Sequence, residues 1–467
     1  MMPARLCGLA VLALSFSVVN AAKFPHSEDP PAPFSFLPPT YLVTTTDTYF
    51  PNANQVGFAG PTPTGNEANA IAMVPSVATV NRGDIDVVHH FGNLAPWQSV
   101  KSLGLPHASA SVPKGCKINQ VHLVHRHGAR YPMTGALPSA FALVLHGLAS
   151  TMGVTGLLAF SVTWEYKMGA ELLTPFGRSQ LFDLGIGFRV RYSVERVQQF
   201  NDLPVFRTTS EAGFFGMQSC QQDYHQLIEV ESLGFNSTLA SYEQCPNANN
   251  AIANFGQVQA LKWVSVYLVK AQKQLQPFIT GLLLSSSILV AIQQLCAYET
   301  VSLGYSPFCD LFTEEEWLGY SYLNDLLFWY GYGPGNPATS AQGIGYVQEL
   351  LSRLTQTHIT EFATTVNKTI VSSKVTFPLD QPMYVDATHD VVISAIITAL
   401  NFTSLAANGP LPTDHIPPNH SYIINYIAPF ASNLGSETNS DGLCPLLSFI
   451  DGMKQRIEEV DFSDSRP

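Results

Sequence analysis

Apolar and polar residues alternate along this chain in short segments, some with the period of a strand and others with the period of a helix. Three short segments rich in Val, Leu, Phe or Tyr are predicted to be buried strands: residues 120–125, 203–208 and 383–386. Three further segments carry apolar side chains at helical spacing or follow a strand as an apolar run, and are predicted to be helices: residues 139–150, 174–192 and 390–400. Strands interleaved with helices predict an α/β fold.

A long helical pattern separates the second predicted strand from the third. It extends over about residues 225–375 and predicts a mostly helical subdomain inserted into the sheet. Residues 277–292 within it are apolar, but Gly281 and three consecutive serines from Ser285 interrupt the run. We therefore predict a buried helix for this stretch, and no membrane span.

The N-terminus has the pattern of a secretory signal peptide over residues 1–21. A basic residue, Arg5, precedes an apolar run over residues 6–19, and Val19-Asn20-Ala21 offers a cleavage site of small residues. The apolar run is too short to span a bilayer comfortably, which argues against a membrane anchor. We therefore expect a secreted, extracellular protein with no membrane contact after the signal is removed.

The next segment, residues 22–115, is rich in Pro, Thr, Asn and Ala and lacks clear periodicity. It is predicted to be an extended N-terminal arm wrapped around the body of the protein, although a disordered linker is an equal alternative for residues 22–65. Four apolar residues of the arm could dock on a core: Phe91, Leu94, Trp97 and Leu103.

The overall charge and the cysteine count narrow the class of protein. The net charge of the 467 residues is −12, which argues against non-specific nucleic-acid binding as the function. Of the seven cysteines, Cys7 leaves with the signal peptide, and the remaining six suit an oxidising compartment. Four Asn-x-Ser/Thr sequons are candidate glycosylation sites on the same route: Asn236, Asn367, Asn401 and Asn419.

Candidate chemistry is concentrated in VHLVHRHGARYP, residues 121–132. A buried strand runs into a histidine, His127, that is flanked by Arg126 and Arg130. Arginine presents a planar fork of donors that matches phosphate oxygens, and Gly128 allows close approach of the backbone. The positive charges should also keep the imidazole neutral and therefore nucleophilic. The string predicts a site that binds and attacks a phosphoryl group.

The string resembles the signature of the histidine acid phosphatase family, the fungal phytase-like branch of the histidine phosphatase and phosphoglycerate mutase-like superfamily. The resemblance extends from about Val87 to Phe462 and includes a second motif, His389-Asp390, just before an apolar helix. It implies a phosphoglycerate mutase-like sheet flanked by helices, with the helical subdomain as an insert. The phosphatase domain would then comprise residues 116–467.

The resemblance also implies roles for the site residues. His127 would be the nucleophile that forms a phosphohistidine, and Asp390 would protonate the leaving oxygen. Four residues would bind the substrate phosphate: Arg126, Arg130, Arg207 and His389. The reaction would need no metal or other cofactor, and the partners would be small-molecule phosphate esters, with inositol phosphates among the candidates. If Asp390 must carry a proton, activity should favour acidic pH.

The family bridges one cysteine pair that is close in sequence here, Cys296 and Cys309. The family would also pair the cysteines at positions 116 and 245 with partners near the C-terminus, and no obvious partners are present. The remaining pairing therefore stays open for four cysteines: Cys116, Cys220, Cys245 and Cys444.

Two places look shorter than in the family. The segment after Arg207 runs directly into Gly213-Phe214-Phe215-Gly216, and Leu434 is followed directly by GSETNSDGLC. These apparent deletions motivate an alternative, a non-catalytic relative that binds a phosphate ligand. A phosphoglycerate mutase-like phosphotransferase is a third hypothesis, against which the signal peptide, the sequons and His389-Asp390 argue. The segment MTGALPSAFALVLHG after the first motif has no lysine or arginine, which favours a broad-specificity acid phosphatase over a dedicated phytase.

Overall fold

The computed structural model describes residues 86–98, 100, 120–192, 204–209, 225–244, 253–434, 445–460 and 462. All of these residues belong to one compact unit of the chain. The predicted signal peptide, most of the predicted arm and both suspected deletions lie outside the described residues. So do the four cysteines of unassigned pairing: Cys116, Cys220, Cys245 and Cys444.

A five-stranded sheet organises the described part of the chain. Its strands are β1 Val121–Arg126, β3 Val205–Thr209, β4 His225–Glu229, β6 Met383–Thr388 and β7 Asn433–Leu434, and the short strands β2 Gly153–Val154 and β5 Ile279–Thr280 pair in a separate two-stranded sheet. The order in the larger sheet is β4-β3-β6-β1-β7, in which the first four strands are mutually parallel and β7 pairs antiparallel to β1. Every residue of β3 and β6 is buried, as expected for parallel strands that are covered on both faces.

Helices surround the sheet and form a separate, larger core. They are α1 Leu137–Leu148, α2 Pro175–Tyr192, α3 Ala253–Tyr267, α4 Val269–Leu275, α5 Ser286–Leu303, α6 Glu314–Tyr332, α7 Thr339–Thr355, α8 Lys368–Val371, α9 Asp390–Ala399, α10 Thr403–Ala406, α11 Ile424–Ile427 and α12 Leu446–Glu459. The core centres on α5 and α6, where Trp317, Tyr320 and Tyr322 are almost completely buried. Helix α6 begins at a capping box in which Thr313 and Glu316 exchange hydrogen bonds.

The α/β fold class predicted from the sequence is confirmed, and the predicted strands and helices lie within two or three residues of those observed. Two details differ. The mostly helical region begins with a strand, β4, which extends the sheet beside β3. Residues 277–292 are helical only from Ser286, because the first part forms a 3₁₀ turn and the short strand β5.

The end of the N-terminal arm docks on the helical core. Phe91 and Leu94 are buried there, and the ring of Phe91 lies 5.7 Å from that of Trp317. Trp97 is 50% exposed, so the predicted docking role does not extend to it, and Leu103 lies outside the described residues. The part of the arm around Phe91 and Leu94 therefore belongs to the folded body.

One disulfide, Cys296–Cys309, joins α5 to a 3₁₀ turn at Pro307–Leu311, as the family resemblance implied. Three of the four sequon asparagines are exposed and Asn367 is partly buried; their glycosylation stays a prediction. None of the described helices has both the length and the apolar character needed to cross a membrane.

Candidate active site

Two neighbouring parallel strands bring the two predicted motifs to the same edge of the sheet. Arg126 at the end of β1 is in register with Thr388 at the end of β6, and the backbone N–H of His127 donates to the Thr388 carbonyl at 3.1 Å. Because both motifs follow the carboxyl ends of their strands, His127 and His389 emerge side by side. Their ring centroids are 5.4 Å apart, edge to face. Ligands of open α/β sheets bind at this edge.

The turn after His127 is held by a close contact between two glycines. A Cβ on Gly128 would lie 2.1 Å from the Gly177 carbonyl oxygen, and a Cβ on Gly177 would lie 1.9 Å from the carbonyl oxygen of Ala129. Thr174, the residue before α2, donates through its backbone N–H to that Ala129 oxygen and accepts from the Gly177 N–H with its hydroxyl. The start of α2 therefore fixes the path of the Arg-His-Gly turn, and Gly128 accommodates protein backbone.

His127 is oriented as a nucleophile through nitrogen Nε2. Its Nδ1 lies 2.8 Å from the Gly128 carbonyl oxygen, and a carbonyl can only accept, so Nδ1 carries the hydrogen and Nε2 carries the lone pair. Burial lowers the pKa of His127 well below its usual value, and the charges of Arg126 and Arg130 lower it further. Both effects favour the neutral imidazole, the form that the sequence analysis expected for a nucleophile.

Arg126 connects the turn that carries His127 to Asp390, the predicted proton donor. Its Nη2 lies 2.7 Å from Oδ2 of Asp390, while Nη1 donates to the carbonyl oxygens of Ala428, at 2.9 Å, and of Asn93. The guanidinium also lies over the ring of Phe430, 4.4 Å from its centroid. These contacts hold the arginine fork rigidly beside His127.

Asp390 is the first residue of α9, and its carboxylate has three described partners. Besides Arg126, the side-chain amide of Asn93 donates to Oδ2 at 2.8 Å and the Val391 N–H donates to Oδ1 at 2.8 Å. Burial acts to raise the pKa of Asp390, but the charge of Arg126 and the Asn93 hydrogen bond outweigh it, so the pKa is lowered. In the free site these contacts favour the ionised form of the carboxyl group.

Arg130 is partly buried and has an unused donor. Its Nη1 is inaccessible to solvent and has no hydrogen-bond partner among the described residues. An unpaired buried guanidinium donor is costly, and an anion in the site would satisfy it. Arg126 and Arg207 also have one unsatisfied nitrogen each, but both are held in ion pairs with carboxylates, so Arg130 is the least committed of the three predicted arginines.

The structure corrects the phosphate-binding role predicted for Arg207. Its guanidinium is buried among three carboxylates, 2.8 Å from Asp386, 2.7 Å from Glu349 and 3.2 Å from Glu229. Asp386 also pairs with Arg353 at 2.5 Å. Because the donors of Arg207 face carboxylates one pleat below the end of β3, its role is to neutralise buried acidic groups beneath the site.

His389 lies between the His127 ring and a carboxylate that the sequence analysis missed. Its Nε2 is 3.1 Å from both carboxylate oxygens of Glu231 and 3.3 Å from the hydroxyl of Thr209. Tyr242 donates to the same carboxylate at 2.6 Å. Glu231 lies in the loop after β4, and Asn93 lies in a 3₁₀ turn, Gly92–Leu94. Neither belongs to a local motif, and only their place after β4 and within the resembling N-terminal segment could have drawn attention to them.

The site thus combines a neutral imidazole with a free Nε2, two arginines and a carboxyl group in one buried cluster. A comparison with protein-family models points to the same part of the chain. A model of the histidine phosphatase superfamily (branch 2) matches residues 117–441. The chain belongs to this family. The matched range contains both motifs, so the cluster around His127 coincides with the family's part of the chain.

Similar proteins include several fungal phytases. Phytase A of Aspergillus terreus is 32% identical over 376 residues, which cover 74% of this chain and 78% of that protein. The crystal structure of the phytase from D. castellii has a TM-score of 0.64 at 23% identity, covering 81% of this chain and 87% of that one. A Bifidobacterium longum multiple inositol polyphosphate phosphatase in complex with inositol hexasulfate has a TM-score of 0.51 at 12% identity, covering 74% and 87%. The two structures support the fold.

Proposed function

We propose that this member of the histidine phosphatase superfamily is a metal-independent acid phosphatase that hydrolyses phosphomonoesters through a phosphohistidine. The observation that carries the proposal is the His127 imidazole, whose Nδ1 is tied to the Gly128 carbonyl and whose Nε2 is free beside Arg126 and Arg130. A buried neutral imidazole between guanidinium groups suits nucleophilic attack on a bound phosphoryl group.

The reaction has two steps. In the first, Nε2 of His127 forms a bond to phosphorus as the ester P–O bond breaks, and the leaving oxygen takes the carboxyl proton of Asp390. In the second, Asp390 accepts a proton from water, the oxygen of that water bonds to phosphorus, and the N–P bond breaks to release inorganic phosphate. Arg126 and Arg130 stabilise the charge on the phosphoryl oxygens in both steps.

The protonation of Asp390 follows from competition for Arg126. In the free site the guanidinium, 2.7 Å away, holds this carboxyl group ionised. A bound phosphate is a second anion for the same guanidinium, and it weakens the ion pair and adds negative charge nearby. Both effects raise the pKa of Asp390 in the complex and favour the protonated form at acidic pH. The acid optimum is therefore a property of the substrate complex.

The substrate class is inferred from the relatives and from the charge of the segment after the first motif. The relatives named phytase make phytate one candidate substrate. The segment that follows the first motif, residues 133–147, has no lysine or arginine. A ligand with many negative charges, such as phytate, would be bound more tightly if such cations were present. We propose a broad-specificity acid phosphatase that acts on small phosphate esters. The N-terminal signal pattern, the sequons and the Cys296–Cys309 bridge support secretion.

The geometry at Arg207 favours a second candidate, a relative that binds a phosphate ligand without turnover. Because Arg207 is paired with carboxylates, the predicted set of phosphate-binding residues loses one cation. Weaker stabilisation of the transition state would lower the rate more than the affinity. Binding and rate measurements on the same preparation distinguish the two candidates.

The test uses purified full-length protein and a chromogenic phosphate ester at about pH 5, with and without chelator. We expect turnover that is insensitive to chelator and is lost in His127→Ala. Arg178→Gln, a change at an exposed arginine on α2, is the control and should keep the wild-type rate. Saturable binding of inorganic phosphate with no turnover would support the non-catalytic candidate, and loss of activity on chelation would refute the mechanism.

A further inference from the structure

Glu231 is the only carboxylate within hydrogen-bond distance of His389 among the described residues. It follows the end of β4 by two residues, at the edge of the sheet where β1 and β6 deliver the two motifs. The side chains of Glu231 and His389 are 11% and 8% exposed, so their contact is largely protected from water. Neither the family motifs nor the proposed reaction uses Glu231.

The contact fixes one hydrogen on His389. Burial acts to raise the pKa of Glu231, but the hydrogen bond and charge of His389 and the hydrogen bonds of Tyr242 and Thr209 outweigh it and lower the pKa to about 2. Glu231 is therefore an ionised, acceptor-only group at the acidic pH of the reaction. Nε2 of His389 lies 3.1 Å from both carboxylate oxygens, so this nitrogen must carry a hydrogen.

The carboxylate is itself held in place. The Tyr242 hydroxyl donates to Oε2 at 2.6 Å, and the Tyr242 ring meets the His389 ring edge to face, with centroids 6.0 Å apart. The other ring nitrogen of His389, Nδ1, has no hydrogen bond to any residue that the structure describes. Glu231 thus occupies one side of the imidazole and leaves Nδ1 as the nitrogen that can meet a phosphoryl oxygen.

We propose that Glu231 is a positioning residue for phosphoryl transfer: it orients the His389 imidazole and holds a hydrogen on Nε2, so that Nδ1 serves the phosphoryl group. This inference rests on the proposed function and extends it to a residue outside both motifs. Nδ1 can donate to a phosphoryl oxygen only when the ring carries both hydrogens, and the Glu231 carboxylate balances the charge of that ring. Glu231 does not touch substrate and acts through His389.

The first experiment compares Glu231→Gln with Glu361→Gln, a matched change at an exposed glutamate. Glutamine keeps the size of the side chain but is neutral and can turn its amide N–H toward Nε2, which favours the opposite tautomer. We expect kcat for the chromogenic ester to fall by about tenfold to a hundredfold, the loss seen when the partners that orient metal-binding histidines are removed. KM should change less, and Glu361→Gln should match the wild type.

The second experiment reads the tautomer directly. Nitrogen-15 NMR of imidazole-labelled protein, with the His389 signals assigned by their loss in His389→Asn, should show a hydrogen on Nε2 in the wild type. In Glu231→Gln this signature should change. Titration with inorganic phosphate should shift the Nδ1 signal of His389 in the wild type and shift it less in Glu231→Gln. These readouts do not need turnover, so they test the inference even if the wild type proves inactive.

A second variant, Tyr242→Phe, covers the case in which Glu231→Gln does not fold. If Glu231→Gln does not fold, Tyr242→Phe removes the 2.6 Å hydrogen bond to the same carboxylate and should lower kcat by a smaller factor in the same direction. A folded Glu231→Gln with wild-type kcat, or with an unchanged His389 signature, would overturn the proposal. Loss of melting temperature without any change in kcat or in the NMR signature would assign Glu231 a purely structural role and would also overturn it.

Discussion

Replacing Arg207 with leucine should destabilise the protein far more than it impairs phosphate binding. The guanidinium faces Asp386, Glu349 and Glu229 from a position that is almost completely buried. Removing one partner of a buried ion pair costs about 3–5 kcal/mol, because the opposite charge is left uncompensated. Three carboxylates would be left with Arg353 as the remaining cation, which contacts only Asp386 among them at salt-bridge distance.

Two features of the cluster limit the loss. Glu349 keeps a hydrogen bond from the Thr238 hydroxyl, and Glu229 keeps one from Ser237. Burial raises the pKa of Glu229 to about 7 even with Arg207 present, so this carboxyl group can take up a proton and shed its charge. We therefore expect a loss of about 3–5 kcal/mol in the free energy of unfolding near neutral pH. The loss should be smaller at about pH 5, where protonation of Glu229 is easier.

The assay is urea denaturation of wild type and Arg207→Leu at both pH values, beside steady-state kinetics. Arg130→Leu provides the contrast. Nη1 of Arg130 has no partner among the described residues and the charge of Arg130 acts on His127, so the substitution should raise KM or lower kcat with little loss of stability. A folded Arg207→Leu with wild-type stability and a strongly raised KM would refute this assignment. That result would show that Arg207 binds the substrate phosphate after all.

Three further predictions concern the packing, the proton donor and the pH dependence of stability. Gly177→Ala should lower both melting temperature and activity, because its Cβ would meet the Ala129 carbonyl oxygen at 1.9 Å; Gly147→Ala, in open space on α1, is the control. Asp390→Asn should lower kcat about 10²–10⁴-fold for alkyl phosphates and less for esters with good leaving groups, and equal losses for both would contradict the role of Asp390 as proton donor. Burial raises the pKa of Glu229 from 4.5 to about 7, so the folded state binds the extra proton and its contribution to stability is lost as pH rises through that range. The urea concentration at the unfolding midpoint should therefore decrease as the pH is raised from about 5 to about 8. In Glu229→Gln this decrease should be smaller.

The parts of the fold and site that could be predicted were encoded locally. A short apolar strand followed by Arg126-His127-Gly128 has a recognisable period and composition, and so does the strand before His389-Asp390. Parallel strands place their carboxyl ends at one edge, so two separate motifs could be expected to meet. The β1–β6 register, which pairs Arg126 with Thr388, shows that they do.

The parts that could not be predicted depend on contacts between distant residues. Asn93 reaches Asp390 across 297 positions and Glu231 reaches His389 across 158, and neither has a local signature of that contact. The phosphate-binding role of Arg207 was predicted wrongly for the same reason. Its place near a strand end was visible in the sequence, but its alignment with Asp386 on β6 and its pairing with Glu349 on α7 appear only when the sheet is assembled.

The most direct test of the central claim is to trap the phosphoryl group on His127. Protein mixed with a phosphate ester at about pH 5 is quenched in strong alkali, in which phosphohistidine survives, and its peptides are analysed by mass spectrometry. The account predicts one added phosphoryl group, at Nε2 of the His127 imidazole in the peptide that contains VHRHGAR, and none in His127→Ala. Steady turnover with no phosphorylated peptide at any reaction time, or with the phosphoryl group on another residue, would contradict it.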